Sequence, residues 1–107
     1  MDDELLQRAA GLPEITLAPG DTVVREGEAG EGLWILVSGA LQITKAGVVI
    51  NSITRPGAAI GEISLLLDSA YSATVVASEP SIVRFAADGR AFLMGDPAIT
   101  RLIAVGL

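Results

Sequence analysis

The residues able to do chemistry in this chain gather in one stretch, Ala59 to Ala77 (A-I-G-E-I-S-L-L-L-D-S-A-Y-S-A-T-V-V-A). Gly61 can take backbone angles closed to other residues. The run behind it, Glu62-Ile63-Ser64 and three leucines, reads as one short helix. A helix that starts just after a glycine turn aims several unpartnered N–H groups and a partial positive charge at one spot. That arrangement suits an anion, phosphate above all. Glu62 has two readings. As an acid at a helix start it is stabilised by the dipole, by roughly 0.3–1 kcal/mol; as a ligand group it accepts charge-assisted hydrogen bonds from hydroxyls. Ser72 and Ala73 also have two. Their small side chains let the backbone approach a phosphate, with Ser72 donating, or they simply pack a strand beneath the helix. Tyr71 offers one neutral hydrogen bond. No Lys or Arg occurs from Gly57 to Ile82, so Arg55 and Arg84, just outside, are the candidate cations.

Other elements must hold this stretch in place. Asp2 to Ala10 reads as a short helix, with Asp2 or Asp3 as cap, Leu5, Leu6 and Ala9 on one face, and Gly11 and Pro13 as its stop. Short strands follow at 15–17 and 22–25, separated by the turn Pro19-Gly20-Asp21. Glu26 to Gly32 (E-G-E-A-G-E-G) is a polar connection whose three carboxylates would repel a phosphate. Leu33 to Ser38 (L-W-I-L-V-S) is the most apolar run, and Gly39 marks a bulge or bend. Residues 40–44 alternate apolar and polar, the mark of a half-buried strand. After the turn Lys45-Ala-Gly47, residues 48–53 return as a hairpin partner. Arg55-Pro-Gly57 turns into the central stretch, from which Tyr71 to Ala77 emerges as a strand. Ser81 to Ala86 is the last strand. Asp88 caps a helix that runs to about Met94, and Asp96-Pro97 is a strong start signal for another. The sum is about eight short strands with helices at both ends. The fold class expected is mainly β, a jelly-roll-like β-roll (double-stranded β-helix) with short flanking α-helices. One domain spans residues 1–107: an N-terminal helix in 1–12, the β-roll in 13–87 and C-terminal helices in 88–107.

The stretch I-G-E-I-S-L-L, followed at the right distance by S-A-T-V-V-A, resembles the phosphate-binding cassette of cyclic nucleotide-binding domains, the CAP-effector-like β-roll. Upstream, L-A-P-G-D-T-V-V-R-E-G-E and L-W-I-L-V-S-G-A-L-Q-I fit the same family, so the resemblance covers nearly the whole chain. It implies a cassette at 59–74 and a site built from Gly61, Glu62, Ile63, Ser64, Tyr71, Ser72 and Ala73, with Glu62 holding a ribose hydroxyl. The family carries an arginine nine residues after that glutamate to neutralise the cyclic phosphate; here the position is Tyr71. The family also places a further helix after the one that begins near Pro97. With this sequence stopping at Leu107, the resemblance implies that the lid is missing or that another domain or chain supplies it.

The totals narrow the function. With no Cys and no His, disulfides, thiolate metal sites and the commonest general base are excluded, and no metal or cofactor is expected beyond a candidate ligand, cAMP or cGMP. A net charge of −6 argues against nucleic acid as a partner. No apolar run is long enough to span a membrane, and the acidic start M-D-D-E is unlike a signal peptide. These features fit a soluble cytoplasmic protein. The sequence therefore reads as a regulatory sensor of cyclic nucleotide, not an enzyme, with binding weakened at Tyr71. The alternative is a non-binding domain of the same fold that serves as an interaction module. The apolar face expected on the last helix (Ile99, Leu102, Ile103, Leu107) is the candidate surface for a homodimer or an effector domain.

Overall fold

The computed structural model describes residues 2–97. Eight strands form two four-stranded antiparallel sheets. The first contains β1 (Glu14–Leu17), β8 (Ser81–Ala86), β3 (Leu33–Ser38) and β6 (Ala59–Ile60), in that order; the second contains β2 (Thr22–Val24), β7 (Thr74–Ala77), β4 (Leu41–Lys45) and β5 (Val48–Ile53). Among the described residues three short helices accompany the sheets: α1 (Asp2–Arg8), α2 (Glu62–Leu67) and α3 (Gly89–Met94). The expected β-roll with flanking helices is therefore the observed fold.

β3 explains the layering. A strand points alternate side chains to opposite faces, and both faces of β3 are covered. Leu33 and Ile35 join Leu5, Ala9, Leu65, Ala86 and Leu93 in a cluster beneath the helices. Leu36 joins Leu17, Leu41, Val75 and Val83 in a second cluster between the sheets, and Trp34 packs against it. This is why L-W-I-L-V is apolar without a break, as strands buried on both faces are. Its neighbour β8 divides likewise, with Val83 in the inter-sheet cluster and Ala86 in the helical one.

Several expectations hold in detail. Asp88 caps α3 by accepting from the Ala91 amide at 3.0 Å. Arg8, in the last turn of α1, pairs with Glu4 and with Asp96 at 2.6 Å, tying the first helix to the segment after α3. The β3–β8 register shifts between Leu36 and Ser38, just ahead of Gly39, which turns the chain at φ +101°. One boundary differs by more than a residue: residues 71–73 are not in a strand, and β7 begins at Thr74. The reason lies in their partners. Tyr71 exchanges hydrogen bonds with the 26–32 loop, its amide donating to Glu28 (3.0 Å) and its carbonyl accepting from Gly27 (2.8 Å). Only from Thr74 does the chain join the β4 ladder. The caps expected at Asp2 or Asp3 are side chains outside the described set, and the final helix lies beyond Pro97, outside the described residues.

Gly39 sits over a buried hydroxyl. Ser81 is 1% exposed, and its Oγ accepts from the Ala40 amide and donates to the Glu79 carbonyl at 2.8 Å. A Cβ on Gly39 would meet the Ser81 Cα at 2.6 Å as well as its hydroxyl. Gly39→Ala combines that clash with positive-φ strain, and urea denaturation is expected to show a loss of about 2–3 kcal/mol.

Candidate functional site

The cleft forms where the two sheets meet α2. Gly61 opens it. This residue takes φ +96° as the N-cap of α2, with no side-chain cap, and a Cβ there would lie 2.9 Å from the Gly32 carbonyl oxygen. Glycine thus answers both a left-handed turn and a close approach of two loops. The first turn of α2 begins with Glu62. At its other end Asp68 takes φ 51°, and Arg90 from α3 donates to the Leu65 carbonyl at 2.8 Å. A cation on the last carbonyls of a helix suits both hydrogen bonding and the dipole, so α3 holds the cassette helix by its C-terminal end.

All seven residues expected at the site line one cleft of about 130 Å³: Gly61, Glu62, Ile63 and Ser64 from the start of α2, and Tyr71, Ser72 and Ala73 from the segment that leads into β7. Its floor is aliphatic, from Val24, Ile43, Ile53, Ile60 and Val75. Burial pushes the Glu62 carboxyl above its ordinary range, and contact with its own backbone amide pulls the other way. Ser64 is buried, and its hydroxyl lies 3.4 Å from the Ala70 carbonyl, which ties the helix to the returning chain.

Tyr71 is a wall of the cleft and does not fill it. The residue is 8% exposed and belongs to the inter-sheet core. Its ring meets Trp34 edge-on, with centroids 6.5 Å apart, and lies so close to Gly30 that a Cβ there would collide with the phenol. Burial, and secondarily the charge of Glu28, pushes the phenol's pKa up, so it stays a neutral hydrogen-bonding group.

Arg84 does not supply a cation here. It donates to the Leu12 carbonyl at 2.8 Å and faces Glu14 at 3.6 Å, on the side of the sheet turned toward the first helix. The basic group that sequence reasoning missed is Lys45, whose Nζ donates to the Ser72 carbonyl at 2.9 Å. The signal for it was indirect. Lys45 continues the alternation Leu41, Ile43, Lys45, and Ile43 lines the cleft.

The cyclic nucleotide-binding domain family model matches residues 14–96, which include every element of the cleft. The chain belongs to this family. Cyclic nucleotide-binding domains similar to it occur in larger proteins. A cAMP-dependent protein kinase regulatory subunit of Yarrowia lipolytica is 36% identical over 72 residues, 67% of this chain and 19% of that protein. The regulatory subunit of a cAMP-independent protein kinase A from Trypanosoma brucei superposes with a TM-score of 0.79 at 26% identity, over 94% of this chain and 37% of that one. A variant of the Trypanosoma protein with three substitutions, one of which introduces an arginine, has been solved with cAMP bound in its A site. It superposes at 0.76 with 26% identity, over 99% of this chain and 40% of that one. The chain spans about a fifth of the length of the curated relative.

Glu62 gives a pH test of the geometry. Burial favours the neutral acid, so the folded state keeps this proton to higher pH than the unfolded chain does. Stability then falls as pH rises from the ordinary carboxylate range through the raised folded value. Glu62→Gln removes that penalty. Without ligand, its melting temperature is expected to exceed the parent's at pH 7, with the gain vanishing below about pH 4.

Proposed function

We propose that this domain is a regulatory sensor that binds cAMP or cGMP more weakly than an arginine-bearing cassette would. The observation that carries this reading is the open cleft lined by Glu62, Ser72 and Ala73 together, with the Tyr71 ring packed edge-on against Trp34. Glu62, as a carboxylate, accepts from the ribose hydroxyls. The aliphatic floor receives apolar parts of the nucleotide, and Ser72 donates to the phosphate. Tyr71 supplies at most one neutral contact where arginine would give a planar, permanently charged pair of bonds. The loss of such a contact costs about 1.5–3 kcal/mol, or roughly ten- to two-hundredfold in affinity. Regulatory subunits among the relatives and the small share of their length that this chain spans both support a module within a larger assembly. The output it controls, and any homodimer formed through its C-terminal segment, belong to that larger context.

Isothermal titration with cAMP and cGMP tests the reading. The parent is expected to bind weakly, and Tyr71→Arg to gain about tenfold or more. A parent that binds at micromolar levels or tighter would show that the phenol costs less than argued. If neither protein binds either nucleotide, the domain is an interaction module and the sensor reading falls.

A further inference from the structure

The cleft is unequal in charge. Glu62, an acid half withdrawn from water, lines it. Ser72, which also lines it, has an ammonium group beside it, since Lys45 Nζ is 2.9 Å from the Ser72 carbonyl. Strand register accounts for this placement. β4 and β7 pair as Leu41 with Ala77, Ile43 with Val75 and Thr44 with Thr74. The ladder ends there, and Lys45 is the next residue past its end, against the segment that carries Ser72. Because side chains alternate, Lys45 shares a face with Leu41 and Ile43, which are respectively core and cleft floor. Lys45 does not itself line the cleft; it borders it through its hydrogen bond to Ser72, which does. Among the described residues it has no carboxylate within ion-pair range; the nearest acid in the hydrogen-bond network, Glu26, is engaged by the Ala46 amide at 3.1 Å. An ammonium carries three donors and the Ser72 carbonyl takes one, so two remain for an incoming group.

We propose that Lys45 is the cation of this site: it binds the anionic phosphate of the ligand from the neighbouring strand, beside Ser72. This deepens the sensor reading and rests on it. The lysine is exposed, so its contribution is smaller than that of a buried arginine, which agrees with weak binding.

The experiment is titration of the full chain and of Lys45→Met and Lys45→Arg with cAMP at low and at high salt, with thermal melting to check the fold. Lys45→Met keeps the stem and loses the charge. It is expected to lower affinity about five- to tenfold and to flatten the salt dependence of binding, while Lys45→Arg stays within about threefold of the parent with its salt dependence intact. Two results would overturn the proposal: Lys45→Met binding cAMP as the parent does, or both variants losing affinity equally with salt dependence unchanged. In the latter case the side chain only holds the Ser72 carbonyl. If the parent does not bind but Tyr71→Arg does, Lys45 supplies no useful charge and this inference fails alone. If Tyr71→Arg also fails to bind, the sensor reading fails with it.

Discussion

The architecture depends on β3 being buried on both faces. One strand feeds two separate clusters, the aliphatic layer under the helices and the layer between the sheets. Leu33, Ile35 and Leu36 are each fully buried, and removal of any one of them would open a cavity at a cost of about 2–5 kcal/mol. Trp34, between them, is turned toward the cleft side and packs on Tyr71 and Phe85. The strand that holds the molecule together therefore also sets the position of the site's aromatic wall. Since β8 pairs along nearly its whole length and serves the same two layers, neither cluster can come apart without disturbing the other.

Around that frame the cassette is fastened by loop contacts in addition to the β6 and β7 ladders at its ends. Gly61 crowds the Gly32 carbonyl, and Tyr71 exchanges two backbone bonds with Gly27 and Glu28. The same loop goes on to α3, where the Gly89 amide donates to Glu31 at 2.7 Å. The stretch from Glu26 to Gly32 thus touches the start of the cassette, its return and the helix that follows the barrel. Its acidity, which counts against a phosphate-binding role for its own backbone, does not hinder this bracing function. Its glycines allow close approach, as at Gly30 beneath the phenol and at Gly32 against Trp34 and Phe85.

Much of this was legible in the sequence. Turn residues and alternation placed the strands within a residue or so, because Gly and Pro punctuate the chain and each strand has a buried face. The cassette was legible because glycine, acid and helix follow one another directly. The parts that were not legible depend on pairings between distant residues. Tyr71 looked like strand because β-formers follow it, yet its partners lie more than forty positions earlier in a loop of no regular pattern. Lys45 looked like an ordinary turn residue. Only the register of β4 on β7 brings it to Ser72, 27 residues away, and nothing local encodes that register. Arg84 could not be placed from sequence for the converse reason: it is near the site in sequence but is directed by strand alternation to the opposite face.

The packing of Trp34 has a practical corollary. It is the only tryptophan in the chain, and it rests edge-on against the phenol that lines the cleft. The indole's emission therefore originates at the wall of the site, with no competing fluorophore of its kind, and the phenol is close enough to pass excitation to it. Nature has left this domain with an intrinsic optical probe, so occupancy of the hollow can be followed by its own light, without a dye or label.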